Sequence, residues 1–352
     1  MNSAAAPLVI AHRGASGYRP EHTLESYRLA IEMGADFIEP DLVATRDGYL
    51  VARHEPEIGT TTDVASRAEF ADRQRTLIVD GVTVTGWFTV DFTLTELRTL
   101  RAIQPRADRS KEFDGQFLIP TLEEIIDLAR SESEACGRAI GIYPETKHPT
   151  WHCERGLPLE PRLLETLAAV GWTTRGSPVF IQSFESGNLR WLRSRTDVRL
   201  IQLLDGGELR DDGSVAPRPR WTSAGQCNLY TQGEVPQDFT RSETFALFRE
   251  YVDGLGPWKR HLIGTRRTDT ADNTERSRRA VEPTEFVRLA HAAGLQVHPW
   301  TFRNEAIHLA ADYDGDPIAE YQAFAALGVD AVFTDFPDTA IAAFNRDRAT
   351  GR

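Results

Sequence analysis

Short apolar runs alternate with helix-like stretches along most of the chain. The run LVIAH at residues 8–12 precedes EHTLESYRLAIEMG, in which Leu24, Tyr27 and Ile31 follow helical spacing and Gly34 ends the pattern. Similar apolar runs are FIEPDLVAT, LVARHEP, AIGIYPETK, VFIQSF, RLIQLL, QVHPWTF and DAVFTDFP. The helix-like stretches between them are TLEEIIDLARSE, PRLLETLAAVG, ESGNLRWLRSR, TEFVRLAHAAG and YQAFAALG. Strands that alternate with helices predict parallel strands covered by helices.

Two polar stretches interrupt this alternation. Residues at about 56–117 are rich in Thr, Arg and Asp, and residues at about 205–260 mix Gly, Pro and charged residues. Each is too long for an ordinary connection, so we interpret both as insertions in a single domain spanning residues 1–352. The remaining residues, about 235, approach the ~250 of an eightfold barrel. The predicted fold is therefore α/β, a (β/α)8 TIM barrel with insertions in its βα loops. A doubly wound open sheet is the alternative, but its GxGxxG fingerprint is not found.

Polar side chains stand at the ends of the predicted strands. Residues two apart on a strand share a face, so Glu39 and Asp41 point the same way, as do Glu145 and Lys147. His12 has the same parity as the apolar residues before it, which predicts an inward-facing side chain. Other polar or aromatic residues that end such runs are His54, Gln182, Trp300 and Asp335. In a barrel, active sites lie at this C-terminal end of the strands.

The three acids Glu39, Asp41 and Glu145 predict a cation site. Like charges on one face repel each other, and a cation relieves that repulsion. Carboxylate oxygens suit a hard divalent cation such as Ca²⁺ or Mg²⁺. Zinc held by His12 and His54 is an alternative, but neither cysteine spacing nor an HxxxH pattern supports it.

Arg13 and Lys147 add positive charge next to these groups, although Lys147 could instead be only the ion-pair partner of Glu145. Together the set offers an acid–base pair, a metal site and an anion clamp, which are the three parts that phosphoryl chemistry needs. A glycosidase would use two carboxylates and would not account for these two cations beside His12 and His54. A barrel that only binds phosphate esters would lack part of the catalytic set.

Composition limits the partners and the location. The net charge of −12, from 40 basic and 52 acidic residues, argues against a nucleic-acid surface. Apolar runs stay well short of the ~20 residues of a membrane span. The start MNSAAAP lacks the basic and apolar regions of a signal peptide, so we expect a cytoplasmic protein, with a periplasmic or secreted location as the alternative if a signal was trimmed. The three cysteines, an odd number without metal spacing, are interpreted as buried or incidental thiols and not as a disulfide framework. The sequence does not indicate an oligomeric state.

Several motifs, in order along the chain, resemble the glycerophosphodiester phosphodiesterase family. They are AHRG, PEHTLESY, EPDLVATRDGYLVARHE, IPTLEEII, YPETK, QSF, PWTFRNE and TDFP, and they extend from residue 8 to about residue 340. The resemblance implies a TIM barrel that hydrolyses glycerophosphodiesters, such as glycerophosphocholine or glycerophosphoethanolamine, to sn-glycerol 3-phosphate and an alcohol with the aid of a divalent cation. The alternative is a phospholipase-type barrel that releases a cyclic phosphate or acts on lipid phosphodiesters.

The resemblance also implies roles for particular residues. The catalytic histidines are His12 and His54, the metal carboxylates are Glu39, Asp41 and Glu145, and the phosphate-contacting cations are Arg13 and Lys147. Its position at the barrel mouth makes Trp300 a candidate substrate contact.

The first insertion resembles the cap of the bacterial periplasmic-type branch, to which YPETKHP also points. Two positions depart from the family pattern. The motif PENT reads PEHT, with His22 in place of Asn, and Glu55 stands where Asp is usual. We expect His22 to alter how Glu21 and the first helix are held, with the catalytic assignment unchanged.

Overall fold

The computed structural model describes residues 6–216, 227–231, 233–268 and 274–345. The strands are β1 (Leu8–His12), β2 (Phe37–Glu39), β3 (Asp41–Ala44), β4 (Leu50–Ala52), β5 (Arg75–Val79), β6 (Val82–Gly86), β7 (Gly141–Ile142), β8 (Glu145–Thr146), β9 (Phe180–Ser183), β10 (Arg199–Leu204), β11 (Gly254–Pro257), β12 (Thr265–Arg267), β13 (Arg278–Ala280), β14 (Gln296–Val297) and β15 (Ala331–Thr334).

The α-helices are α1 (Leu24–Glu32), α2 (Leu94–Leu97), α3 (Leu122–Cys136), α4 (Pro149–Cys153), α5 (Leu159–Ala169), α6 (Ser186–Arg193), α7 (Ser242–Arg249), α8 (Phe286–Ala292), α9 (Pro317–Ala326) and α10 (Pro337–Ala343). Short 3-10 helices lie at Asp63–Ser66, Ala68–Arg73, Thr89–Asp91, Lys259–His261, Glu275–Ser277, Ala306–His308 and Ala311–Tyr313. Within the described residues, no helix combines the length and the apolar character that a bilayer crossing requires.

Parallel pairing runs around eight strand positions and returns to β1, so the predicted TIM barrel is confirmed. β1 pairs with β15 on one side and β2 on the other. β2 and β3 pair with β7 and β8, and the series continues through β9, β10, β11 and β14. A parallel bridge between Phe302 and Thr334 connects the β14 segment to β15. Pro40 lies between β2 and β3, and Pro144 between β7 and β8, because proline cannot donate a ladder hydrogen bond.

The alternation of side chains along β1 separates two apolar layers. Ile10 belongs to the cluster that fills the barrel, together with Phe37, Tyr143, Phe180, Ile201, Ala331 and Phe333. Val9 and Ala11 face the larger cluster that packs against the surrounding helices. His12 therefore continues the inward face of β1 beyond Ile10, at the C-terminal mouth, as its parity predicted.

β4 departs from the expected parallel arrangement. It runs antiparallel to β3, with Val43 opposite Val51, so LVA at residues 50–52 is the return arm of a hairpin and not a barrel strand. Asp47 and Gly48 in the turn supply the tight reversal. The return arm carries the chain back toward the barrel mouth, which is how His54 reaches the same place as the ends of the parallel strands.

Residues between β4 and α3 form short helices and the hairpin β5–β6. Asp80 and Gly81 make its turn with φ values of 46° and 82°, the left-handed pair that a two-residue hairpin favours at an Asp-Gly sequence. The hairpin packs on α4 through a cluster of Val79, Phe88, Val90 and Trp151. The indole Nε1 of Trp151 also donates to the carbonyl oxygen of Ile78 at 2.8 Å.

The range predicted for the second insertion, about 205–260, is too long at its C-terminal end. It contains α7 and β11, and β11 pairs in parallel with β10 and β14 as part of the barrel. The sequence of this strand is GLGP, and its glycines and proline do not form the apolar run that would predict a strand. The glycines are needed there because a Cβ on Gly254 would lie 2.9 Å from a side-chain carbon of Ile201.

The interpretation of the cysteines as thiols is wrong for two of the three. Cys153 at the end of α4 forms a disulfide with Cys227, 74 residues later. Cys136 is an exposed free thiol. The spacing of the pair carries no local signal, because α5, β9, α6 and β10 separate the two residues along the chain.

Candidate active site

A cavity of about 400 Å³ opens at the C-terminal ends of the strands. The structure brings all eight predicted site residues to its wall: His12, Arg13, Glu39, Asp41, His54, Glu145, Lys147 and Trp300. Residues separated by up to 288 positions in the sequence thus meet at one place, as the barrel topology requires. Their chemical roles remain predictions.

Glu39, Asp41 and Glu145 form a compact acidic cluster. All three are buried, and one oxygen from each lies within 4.8 Å of the others. Glu39 accepts hydrogen bonds from Gln182 Nε2 at 2.9 Å and from the backbone N–H of Arg13 at 2.8 Å. These bonds fix the carboxylate at the end of β2.

The buried acidic cluster is more stable with a bound cation than with three unpaired negative charges. Burial, and then the charge of Asp41, hold the pKa of Glu39 well above its usual range, and burial raises the pKa of Glu145 to about 8. Burial would also raise the pKa of Asp41, but the hydrogen bond from His22 and the charge of Lys147 keep it well below its usual range. A cation would replace the protons that the crowded carboxylates otherwise hold.

The donor set fits a hard divalent ion. Asp41 Oδ1 and Gln182 Oε1 are buried oxygens without a hydrogen-bond partner among the described residues. A buried acceptor without a donor is costly, and a cation satisfies it. Three carboxylates in one place are ligands of the kind that Ca²⁺ and Mg²⁺ prefer. In the described part of the chain, this cluster is the one group of three such ligands.

His12 is oriented by Asp335, which follows β15. His12 Nδ1 lies 2.6 Å from Asp335 Oδ1. The carboxylate accepts from Nδ1–H, which leaves Nε2 as the nitrogen that can take a proton. Burial and the Arg13 cation lower the pKa of His12 to about 4 although Asp335 opposes them. The second oxygen of Asp335 is held by Arg109 Nη2 at 2.5 Å and Arg303 Nε at 2.9 Å.

His54 has a matching arrangement on the other side of the cavity. Its Nδ1 lies 2.9 Å from Glu55 Oε1, and its Nε2 lies 3.3 Å from the ammonium of Lys147. The carboxylate favours Nδ1–H, so Nε2 is again the acceptor nitrogen, here with the Lys147 ammonium as its donor. Burial, then the cations of Arg13 and Lys147, lower the pKa of His54 to about 4. Both histidines therefore present neutral imidazoles with the same tautomer.

The two predicted phosphate-binding cations also contact carboxylates. Arg13 has a left-handed backbone, φ 61°, and its Nη1 lies 3.0 Å from Glu21 while its Nε lies 3.4 Å from Asp41. Lys147 Nζ lies 3.1 Å from Glu145. Each cation thus stands against the acidic cluster and on the cavity wall. A bound phosphate would share these cations with the carboxylates.

Trp300 forms part of the wall of the cavity. Its indole Nε1 donates to the carbonyl oxygen of Gly256 at 2.7 Å, and its ring meets Phe184 edge to face at 6.0 Å between centroids. The ring is therefore fixed, with its apolar surface against the cavity.

Several side chains that support the site have little or no signal in the sequence. The sequence predicts Gln182 and Asp335 only as polar strand ends, and in the structure each holds a predicted site residue, Glu39 and His12. His22, noted as a departure from the motif, lies 2.9 Å from Asp41 through Nε2, and its Nδ1 lies 2.8 Å from the Tyr27 hydroxyl. Arg109 has no local signal at all, because it reaches the site from the irregular end of the first insertion.

Residues 12–339 match the model of the glycerophosphoryl diester phosphodiesterase family. The chain belongs to this family. It is 36% identical over 345 residues to glycerophosphodiester phosphodiesterase GDPD6 of Arabidopsis thaliana, a match that covers 94% of this chain and 84% of the relative. A glycerophosphodiester phosphodiesterase of Haemophilus influenzae is 28% identical over 353 residues, covering 95% and 88%.

The fold is shared with solved structures. A phosphodiesterase of Oleispira antarctica, solved in complex with the product sn-glycerol-3-phosphate, superposes with a TM-score of 0.59 at 20% identity over 97% of each chain. A glycerophosphoryl diester phosphodiesterase from Silicibacter pomeroyi gives a TM-score of 0.59 at 19% identity, covering 97% of this chain and 94% of its own. Family membership and the named relatives make the protein an enzyme of the phosphoric diester hydrolase class, and the resemblance carried by the sequence motifs is confirmed.

Proposed function

We propose that the protein hydrolyses glycerophosphodiesters, such as glycerophosphocholine and glycerophosphoethanolamine, to sn-glycerol 3-phosphate and an alcohol. The observation that carries this proposal is that two histidines in the site have the same pattern of contacts. Two histidines, each with Nδ1 against a carboxylate and Nε2 left as the acceptor nitrogen, stand in the same cavity as a buried cluster of three acids. The negative charge of a bound phosphate diester would favour a proton on one imidazole. One histidine could then take a proton while the other, protonated, gives one.

In the proposed reaction, a glycerol hydroxyl loses its proton to Nε2 of one histidine and attacks phosphorus. The bond from phosphorus to the alcohol breaks, and the other histidine, in its protonated form, supplies a proton to the leaving oxygen. The resulting cyclic phosphate is opened by water with the two histidines in exchanged roles. Direct attack by water on the diester would use His12 and His54 in the same way.

Glu39, Asp41 and Glu145 would hold one divalent cation, Ca²⁺ or Mg²⁺. Such an ion neutralises a phosphate oxygen and lowers the pKa of a bound hydroxyl. Arg13 would place its planar donors on another phosphate oxygen, and Lys147 would add a point charge beside Glu145. Trp300 would pack against the glycerol or the alcohol group.

A direct test is to assay the metal-reconstituted enzyme with a panel of glycerophosphodiesters. We expect release of sn-glycerol 3-phosphate from at least one member of the panel, and no release after the cation is removed. Phosphorus NMR of the same reactions identifies the final product. Absence of glycerol phosphate from every substrate in the panel would contradict the proposal.

A second candidate is a phospholipase-type reaction on lipid phosphodiesters, and one observation favours it. Ile78 and Val82 flank the turn of the β5–β6 hairpin and are 61% and 58% exposed, while Asp80 in the same turn lines the cavity. Exposed apolar side chains beside a site suit contact with a lipid surface. Accumulation of a cyclic phosphate from vesicle lipids, and not from soluble diesters, would support this candidate.

Location is a separate proposal. Disulfides persist in oxidising compartments and are rare in the cytosol. The Cys153–Cys227 disulfide therefore leads us to propose the periplasmic or secreted alternative over the cytoplasm. Alkylation of thiols in freshly lysed source cells should modify Cys136 alone, whereas modification of all three cysteines would support the cytoplasm.

A further inference from the structure

A continuous series of side chains leads from His54 to the hairpin of the first insertion. Beyond the contact of His54 with Glu55 Oε1, the other oxygen of Glu55 lies 2.9 Å from His148 Nε2. His148 Nδ1 then lies 2.5 Å from Asp80 Oδ2 in the hairpin turn. All four residues line the cavity. The reaction proposed above uses only the first of them.

His148 is a cation between two acids. Both of its ring nitrogens face carboxylate oxygens, so both carry a proton. Burial alone would lower the pKa of His148, but the hydrogen bonds to Asp80 and Glu55 raise it to about 9. The imidazolium is 12% exposed, and it fixes the position of both carboxylates through charge-assisted hydrogen bonds.

Glu55 needs such a partner. Its side chain is 45% exposed, and a surface glutamate loses rotamer entropy when it is held in one conformation. Without the contact to His148, the carboxylate that orients His54 would be a mobile surface group. With it, one oxygen is fixed by His148 and the other is free to hold Nδ1 of His54.

The hairpin is attached to the barrel independently of His148. Trp151 packs against Val79 and Phe88 in an apolar cluster, and its indole donates to the hairpin backbone. Loss of the His148 bridge should therefore leave the hairpin in place. Substitution of His148 or Asp80 can therefore remove the hydrogen-bonded bridge while the apolar packing of the hairpin against Trp151 is kept.

We propose that His148 is a positioning residue for His54, acting through Glu55, with Asp80 of the first insertion completing the bridge. The inference rests on the proposed function, because it assigns the hairpin a part in aligning one of the two proposed catalytic histidines. The first insertion would then contribute to turnover through Asp80, which is 26 residues from His54 in sequence and is joined to it through Glu55 and His148.

The test compares three variants with glycerophosphocholine as substrate and Ca²⁺ or Mg²⁺ in excess. His148→Asn suits the left-handed backbone of this position, φ 45° and ψ 49°, but asparagine is too short to bridge both carboxylates. We expect kcat to fall by about 10- to 100-fold, as for other groups that orient a functional histidine, with KM changed by less than about threefold.

Asp80→Asn retains the turn, because asparagine tolerates positive φ, and should also lower kcat, but by a smaller factor. Asp72→Asn makes the same chemical change at an exposed position of the insertion outside the cavity, and kcat should not change.

A double-mutant cycle with His54→Ala distinguishes positioning from a general structural effect. If His148 acts through His54, His148→Asn should have no further effect on kcat once His54 is alanine. An equal fold-loss in both backgrounds, or an unchanged kcat for His148→Asn alone, would overturn the inference. If His148→Asn fails to fold by circular dichroism, Asp80→Asn takes its place in the same cycle with the same criteria. A His54→Ala enzyme with wild-type kcat would instead refute the proposed function, and the inference with it.

Discussion

Replacing Asp335 with asparagine is the sharpest single perturbation of His12. The carboxylate accepts from three groups: His12 on one oxygen, and Arg109 and Arg303 on the other. An amide has one acceptor oxygen, and two guanidinium groups compete for it with one imidazole. The amide NH₂ would then face His12 Nδ1, which must become an acceptor. The proton moves to Nε2, and the nitrogen that should take a proton from substrate already carries one.

The expected magnitude follows from that change of tautomer. A wrong tautomer at a catalytic histidine removes most of the value of a positioned base, so we expect kcat of Asp335→Asn to fall by about 10³- to 10⁴-fold. The stability cost should be about 3 kcal/mol, at the lower end for breaking a buried ion pair, because Arg109 keeps its 2.8 Å contact with Glu305.

The assay is the initial rate of glycerol 3-phosphate release from glycerophosphocholine, with folding of each variant checked by circular dichroism. Asp338→Asn is the matched control, since its carboxylate accepts from the hydroxyl of Tyr18 at 3.0 Å and lies three residues beyond Asp335. It should retain wild-type kcat. A folded Asp335→Asn enzyme with more than a third of wild-type kcat would refute the proposed role of His12 as a proton acceptor.

Three further outcomes are expected. Chelation should abolish turnover and Ca²⁺ or Mg²⁺ should restore it, whereas full activity in a sample shown to be metal-free would exclude the cation site. Arg13→Lys should reduce kcat/KM for glycerophosphocholine nearly as much as Arg13→Ala, because a lysine keeps the charge but lacks paired donors; wild-type behaviour of Arg13→Lys would reduce Arg13 to a point charge. Cys153→Ser should lower the free energy of unfolding by about 4 kcal/mol, since the disulfide closes a loop of 74 residues, and an unchanged urea midpoint would mean that the bond does not form in solution.

The parts of the site that depend on local pattern are predictable from the sequence. His12 follows an apolar run with fixed parity, and Glu39 and Asp41 lie two apart, so these residues locate the barrel mouth by their spacing alone. The Pro residues at positions 40 and 144 mark the same edge. Such features are predictable because strand periodicity is a property of neighbouring residues.

Contacts between distant segments could not be found in this way. Arg109 meets Asp335 across 226 positions, and His148 meets Asp80 across 68. The Asp80–Gly81 pair does have a local signal, an Asp-Gly turn within RTLIVDGVTVTG, although the polar residues around it make the whole stretch read as an insertion. Strand β11 has no apolar run that would indicate a strand, because glycines replace apolar residues where neighbouring strands pack closely.

The central claim is that His12 and His54 perform the proton transfers of diester hydrolysis, and their removal tests it most directly. The measurement is kcat for glycerol 3-phosphate release from glycerophosphocholine by the wild-type enzyme, His12→Ala and His54→Ala, each saturated with Ca²⁺ or Mg²⁺. The account predicts that each alanine variant folds and loses about 10²- to 10⁴-fold in kcat, the contribution of a positioned acid or base. A folded variant of either histidine that turns over at the wild-type rate would contradict it.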